Sequence, residues 1–364
     1  MKITSFKTQL ACPSASVDPA VEPTAAQMAN FVTLELRTDD GLTGIGYCGF
    51  VRVEMLKALQ ATVDALAGWT LGADPYAVEA ISSKLLMMGG LGAPAGMVTS
   101  AAAAIDVALW DIKGKAAGQP LFRLLGGESS RVPTYASGYL WRNYSGDQLA
   151  DTAAELIEKG FRAMKFRMGD EPSLENEIDR MDALMSAVND DTDVMVDINQ
   201  GWTVELALVA GKAMEAYELT WLEDPIHHQD YSGLAHLADK LSLPIATGEY
   251  HYGIPPFGEL LERRAVDIVM VDLLRAGGIT HWMKAAHAAE AFNKPVVSHL
   301  APEILGHCVE AAPNGTIAEH MPWAFPLFQE VPQVSAEDGT LVLSEEPGLG
   351  LLFDQDAIDR MQPE

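Results

Sequence analysis

RAMKFRM, residues 162–168, alternates basic and apolar side chains as a strand with two unlike faces would. With a period of two it sends Lys165 and Arg167 to one side and Met164, Phe166 and Met168 to the other. Further on, DVMVDIN (193–199) is another short apolar run, with an acid inside its end. Six more runs share the rhythm: VPTYAS (132–137), LTWLED (219–224), PIATGE (244–249), DIVMVD (267–272), PVVSHL (295–300) and NGTIAEH (314–320). Helical segments separate them. Between VPTYAS and RAMKFRM, SGDQLADTAAELIEKG opens on a Ser145/Gln148 capping box and closes at Gly160. Eight strands alternating with helices predict a parallel sheet closed into a β/α barrel. A doubly wound sheet would need a Gly-rich crevice turn, which this stretch does not offer.

The residues ahead of the barrel read differently. Phe31–Thr38 alternates, an Asp-Asp-Gly turn ends at Gly41, and a second strand follows. Glu54–Leu66 and Pro75–Met88 read as amphipathic helices, and SAAAAIDVALWDIKGKAAGQP as an alanine-rich one stopped around Gly118 and Pro120. This is an α+β unit. The last forty or so residues are loop-rich and are expected to return to it. The expected division is a capping domain at 1–125, a barrel at 126–325 and a C-terminal segment at 326–364.

Composition narrows the function. With 48% hydrophobic and 21% charged residues, the 364-residue chain can bury a large core. Its 24 Lys and Arg against 51 Asp and Glu leave a net charge of −27, which repels nucleic acid and anionic membranes. An anionic substrate must then be drawn in by a local cation. No apolar stretch reaches membrane-spanning length, and the N-terminus lacks the apolar core of a secretory signal. Cys12, Cys48 and Cys308 make no disulfide framework, so a reducing, cytoplasmic setting is expected.

Three acids close strand-like runs: Asp197 in VMVDINQ, Glu223 in LTWLEDP and Glu249 in PIATGEY, each 26 residues from the next. One β/α unit apart, they would converge at the C-terminal mouth of a barrel. Converging carboxylates repel unless a hard divalent cation sits among them, and oxygen ligands favour Mg²⁺ over zinc. Asp272 and His299, 27 residues apart, end successive runs and would bring a carboxylate to an imidazole, fixing its tautomer and raising its basicity. Glu319 ends the eighth run. His251 follows Glu249 by two residues and could line the same pocket or assist a leaving group, whereas His227 and His228 fall in a loop beyond the metal strand.

These motifs, in this order, resemble the enolase superfamily and within it the mandelate racemase subgroup, over nearly the whole chain. AMKFRMG resembles the second-strand lysine motif; VMVDINQ, WLEDP and TGE the metal-ligand strands; DLLRAGGIT with PVVSHL the Asp–His dyad; and TIAEH the eighth-strand glutamate. The linker ALWDIKGKAAGQPLFRLLGG is similar as well. The resemblance implies a capping domain on a modified TIM barrel, (β/α)7β, and a homo-oligomer acting on a small carboxylate. It implies Asp197, Glu223 and Glu249 as Mg²⁺ ligands, Asp272 and His299 as the general base, and Lys165 as the first lysine of a K-x-K motif. Glu319 matches the acid that hydrogen-bonds the enolate, and Ser137 and Asn199 match polar positions near substrate and metal. The muconate-lactonizing branch is set aside, because its sixth-strand lysine is here Asp272.

One position departs: Arg167 stands where the motif has a second lysine acting as a base. Arginine stays protonated, so it cannot serve a racemase's second face. Its planar fork suits a distal carboxylate or polyol hydroxyls. The expected chemistry is one-sided: His299 abstracts the α-proton beside a carboxylate, giving an enediolate. A β-hydroxyl then leaves, and an acid sugar becomes a 2-keto-3-deoxy acid. Mg²⁺, Lys165 and a protonated Glu319 would stabilise the charge. The alternatives are a 2-hydroxy-acid racemase with Lys165 as second base, and a non-catalytic protein on the same fold. Specificity is expected from the cap loops, roughly Cys12–Ala29 and Tyr47–Val53.

Overall fold

The computed structural model describes residues 1–13 and 27–363, so most of the first cap loop, residues 14–26, lies outside the described residues. Strands β1 (Ile3–Ala11), β2 (Phe31–Thr38) and β3 (Thr43–Gly49) form an antiparallel sheet in that order. The sequence shows β2 and β3 but hides β1. That edge strand buries only Ile3, Leu10 and Ala11 while its middle faces outward, so it lacks a continuous apolar alternation. The alanine-rich helix, Gly96–Ala117, lies across the sheet and ends at Gly118 in the left-handed conformation. Its small residues permit a very close approach. A Cβ at Gly44 or Gly46 on β3 would overlap the helix carbonyls of Ala108 and Ala104.

Eight parallel strands follow among the described residues: β4 (Arg131–Leu140), β5 (Ala163–Arg167), β6 (Asp193–Asp197), β7 (Trp221–Glu223), β8 (Ile245–Thr247), β9 (Ile268–Asp272), β10 (Val296–His299) and β11 (Ala318–His320). They pair in sequence from β4 to β10, and β11 returns to pair with β4. The seam between β10 and β11 is bridged by Val296 N to Asn314 O at 2.9 Å, Thr316 N to Val296 O at 3.1 Å and Glu319 N to Ser298 Oγ at 2.8 Å. Helices follow β4 through β10, whereas a short 3-10 turn, Phe325–Leu327, follows β11. The barrel is therefore (β/α)7β, the predicted fold class.

Inside it, Tyr135, Ala163, Met195, Trp221, Ala246, Met270 and Val297 form one buried apolar layer, one residue from each of β4 to β10. Between barrel and helices, Met164, Phe166 and Met168 join the main core, so the two faces of RAMKFRM are as unlike as their sequence demands.

The C-terminal residues touch both units. A hairpin of β12 (Gln333–Val334) and β13 (Thr340–Val342) pairs with the start of β4. The chain then crosses the alanine-rich helix, where Leu349 N donates to Asp111 Oδ1 at 2.8 Å. It ends against β1, where Cys12 N donates to Met361 O at 2.8 Å. No helix among the described residues is long and apolar enough to cross a membrane.

Candidate active site

Two residues above the apolar layer, the same strands turn polar. Tyr135 gives way to Ser137, Ala163 to Lys165, Met195 to Asp197, Trp221 to Glu223, Met270 to Asp272 and Val297 to His299. Period two keeps all of these inside the barrel, and parallel register sets them at its C-terminal mouth.

Lys165, 1% exposed, sends Nζ to Glu223 Oε1 at 2.6 Å, Glu319 Oε1 at 2.8 Å and Asp197 Oδ2 at 3.8 Å. Burial pulls its pKa down, but Glu223 and Glu319 outweigh that and hold the ammonium charged. Arg167 Nη1 reaches Asp197 Oδ2 at 2.5 Å and Asn199 Oδ1 at 2.8 Å, and its guanidinium lies 5.1 Å from the Trp141 ring centroid. Nη1 of the fork predicted for a distal group is thus engaged at the acid end of the site, while Nε is buried without a hydrogen-bond partner among the described residues.

Asp272 and His299 are direct partners in the β9–β10 ladder, and Nδ1 meets Asp272 Oδ2 at 2.7 Å. The dyad predicted from spacing is a register fact. Nε2 faces Glu249 Oε2 at 3.0 Å. Burial lowers the imidazole pKa, but Glu249 and Asp272 overcome it and raise it to about 10.

Glu249 reaches the site by a different route from Asp197 and Glu223. Strand β8 ends at Thr247, and Gly248 takes φ +136°, where a Cβ would overlap the Met270 carbonyl. Equal spacing in sequence therefore hides unequal placement, since Glu249 lies beyond a bend that only glycine makes freely. Glu319 sits lower, level with Tyr135 on β4. Its Oε2 accepts from Leu300 N at 2.6 Å. Burial pushes its pKa up, but Lys165 and His299 bring it down to about 2.

Burial, together with Asp197, Glu249 and Glu319, pushes Glu223 up to about 8 despite Lys165. Among the described residues, the oxygens that converge within 4.8 Å of one another belong to Glu223, Asp224 and Glu249. Asp197 is instead drawn to Arg167, so it is not part of that tightest group. Asp224 accepts from the Thr247 hydroxyl on one oxygen, while its buried Oδ2 has no hydrogen-bond partner. An all-oxygen, mutually repelling set with an unspent buried lone pair fits a magnesium ion.

A cavity of about 360 Å³ opens over these groups, lined by Arg142, Arg167, Asn199, Glu249, Tyr250, Arg275 and His299 on its polar side. Its apolar side is Met28, Phe50, Trp141, Leu300, Met321 and Trp323, so the cap supplies Met28 and Phe50. Ser137 is fully buried in the polar ring, its hydroxyl without a partner, and does not line the cavity. The His251 ring lies among His228, Tyr231 and Phe257, away from the cavity, and burial lowers its pKa to about 4. A second, open groove of about 790 Å³ lies where β9 and β10 begin and gathers none of the candidate residues.

Sequence reasoning passed over Asp224, Trp141, Arg142, Tyr250, Arg275 and Trp323. For Asp224 the signal was adjacency to Glu223; for Arg142 it was a position just past the end of the first barrel strand. Nothing local marked Trp323, which enters by chain return.

Two family models cover the chain. Residues 6–126 match the mandelate racemase / muconate lactonizing enzyme N-terminal domain, and residues 148–357 the enolase C-terminal domain-like model. The chain is 33% identical to an L-talarate/galactarate dehydratase of Salmonella typhimurium, across 90% of this chain and 81% of that protein. It is 31% identical to a 3,6-anhydro-alpha-L-galactonate cycloisomerase of Streptomyces coelicolor, across 91% of each. Among solved structures, an L-talarate dehydratase from Polaromonas sp. JS666, complexed with Mg and L-glucarate, superposes with a TM-score of 0.90. That match has 30% identity, covering 100% of this chain and 98% of the other.

Proposed function

Because the chain belongs to the mandelate racemase / muconate lactonizing enzyme family, we propose that it is a magnesium-dependent hydro-lyase. It takes the α-proton from an acid sugar and expels the β-hydroxyl, leaving a 2-keto-3-deoxy acid. The observation behind this reading is a single oriented base. His299 is backed by Asp272 at 2.7 Å, while the other basic position is an arginine bound to Asp197 and Asn199.

Asp197, Glu223 and Glu249 would hold the ion, with Asp224 beside them. Bound magnesium supplies positive charge against the substrate carboxylate as negative charge builds there. Glu249, whose 3.0 Å contact favours the imidazolium, is one of the residues that would hold the ion, and with its charge committed there the imidazole would be free to release that proton. Neutral His299 accepts the α-proton at Nε2, and Asp272 fixes the proton on Nδ1. The C–H electron pair becomes the enol double bond, the C–O bond breaks, and the Nε2 proton leaves with the hydroxyl as water. The enol then ketonises. Lys165 offers its ammonium to the same developing charge.

A racemase reading needs a neutral Lys165, but its Nζ is clasped by Glu223 and Glu319. The two are separated by incubation in D₂O with stereodefined aldonates and aldarates. Keto acid without α-deuterated epimer supports dehydration; epimer without keto acid overturns it. We further take the chain to divide at 1–125, 126–325 and 326–364 and to work as a cytoplasmic homo-oligomer. The isolated thiols of Cys12, Cys48 and Cys308 support the compartment.

A further inference from the structure

Resting on that reading, we infer that Tyr250 is a substrate-contacting residue whose phenol donates a hydrogen bond to one hydroxyl oxygen of the acid sugar. Tyr250 follows Glu249 directly, and it lines the cavity together with Asn199, Arg275 and His299. Asn199 settles what the phenol proton can do. The amide oxygen of Asn199 accepts from Arg167 Nη1 at 2.8 Å and from Arg142 Nη2 at 2.9 Å. Two guanidinium donors on one oxygen leave the amide no freedom to flip, so Nδ2 faces the phenol and donates to its oxygen at 3.2 Å. The hydroxyl is therefore an acceptor within the protein, and its single proton is left to donate elsewhere. No residue among those described accepts it. A donor of this kind on a cavity wall calls for an acceptor on the ligand. The substrate carboxylate has the ion and the Lys165 ammonium to meet it, which leaves the hydroxyls along the sugar chain as acceptors for a neutral donor.

The ring that carries this hydroxyl is held by groups that leave the proton untouched. Its turn is closed by His251 N donating to Gly248 O at 3.1 Å and by Gly253 N donating to Arg275 O at 3.1 Å. Arg275 Nη1 donates to Glu249 O at 2.9 Å, and the guanidinium lies 4.8 Å from the Tyr250 ring centroid. Arg275 N also donates to Asp272 Oδ1 at 2.7 Å, so the phenol is placed by the same residue that binds the acid behind His299. The His228 ring stacks on Tyr250 with centroids 5.5 Å apart. That imidazole is fixed in turn by Gln200 Oε1, which accepts from His228 N at 2.9 Å and meets Nδ1 at 2.7 Å. Tyr250→Phe therefore deletes the donor while keeping the contacts that seat the ring.

The test is calorimetric binding to the magnesium-loaded enzyme, parent and Tyr250→Phe. The ligands are the tightest-binding acid sugar of a stereodefined set and its analogues singly deoxygenated at each carbon beyond C2. One hydroxyl should matter to the parent: its removal should weaken binding about tenfold, the worth of one neutral hydrogen bond. Tyr250→Phe should weaken the full sugar by about the same factor and lose nothing further on that analogue, as a cycle between the two partners of one contact requires. The rise in Tm with magnesium should match that of the parent. Equal losses in Tyr250→Phe on the sugar and all its analogues, or no loss at all, overturn the inference, since no hydroxyl then meets the phenol. So does a lost magnesium response, which would mark a purely structural part. An acid sugar that binds without giving keto acid removes the hydro-lyase reading and leaves the binding cycle to decide the inference. If no acid sugar binds, both fall.

Discussion

The barrel carries two rings on the same strands, two residues apart, and they obey opposite rules. The lower one, from Tyr135 to Val297, is apolar and fully packed, and it stabilises by removing surface from water. The upper one holds Lys165, Asp197, Glu223, Asp272 and His299, each buried with its charge matched only by neighbours. Such pairs bring little net stability, because desolvation consumes most of the Coulomb gain. Packing below makes the upper ring possible, and the upper ring returns chemistry rather than stability. Positive φ at Asn199, Asp224, Leu300 and Ala301, just past the strand ends, belongs to that side of the division.

The division breaks most visibly at His299. His299→Asn should lower turnover by about 10²- to 10⁴-fold, the usual worth of a positioned base. The unfolding free energy in urea should fall by about 3 kcal/mol, the cost of leaving Asp272 and Glu249 buried without their partner; an unchanged value would show that the two acids are satisfied without the imidazole. Met270→Ala is the mirror experiment below. It removes a fully buried side chain from the lower ring and should cost about 3 kcal/mol by urea unfolding. Activity per folded molecule should survive. If instead activity falls with stability unchanged, the rings are not separable.

Magnesium offers an intermediate case, since it should convert repulsion in the upper ring into stability. At a concentration about 100 times its dissociation constant, it should add about 2.7 kcal/mol, seen as a rise of a few degrees in Tm. Glu223→Gln should abolish that rise, because an amide replaces one of the converging carboxylates. A full magnesium response in Glu223→Gln would place the ion elsewhere.

Legibility followed the same division. Lys165 and Arg167 could be placed because strand alternation is local, and Asp272 with His299 because one β/α unit sets their separation and parallel register does the rest. Glu249 looked equivalent to Glu223 by spacing, yet its placement depends on the bend at Gly248, a backbone property that counting does not see. Arg167 was expected to reach a distal group, and its Nη1 instead meets Asp197 and Asn199. Its reach is set by Asp197 on the adjacent strand, its direct ladder partner. His251 failed because the chain no longer alternates after β8. Strand β1 failed because an edge strand can expose most of its side chains.

Asp106 tests whether burial alone, without cationic neighbours of the upper ring, governs an acid in this protein. It lies on the alanine-rich helix, fully buried, and accepts from Thr280 N at 3.0 Å and Thr280 Oγ1 at 2.6 Å. Glu79 and Lys284 are the charged groups that act on it, and they oppose each other. Burial therefore wins, raising its pKa from an ordinary 3.8 to about 7. The sign follows from proton linkage. Below about pH 4 both folded and unfolded chains hold the proton, and stability is complete. Between there and about pH 7 the folded chain keeps a proton that the unfolded chain has released, so stability falls as pH rises. Above that range the loss is constant. A displacement of this size sets a ceiling of about 4 kcal/mol, and water entry on local opening should reduce it to about 2 kcal/mol. Asp106→Asn, which keeps an acceptor for Thr280 N, should flatten the unfolding free energy across that pH window by this amount. An identical pH slope in the two proteins would mean that Thr280 satisfies the ionised carboxylate as fully as Lys165 satisfies Glu319, and burial would then not be what separates the two kinds of acid.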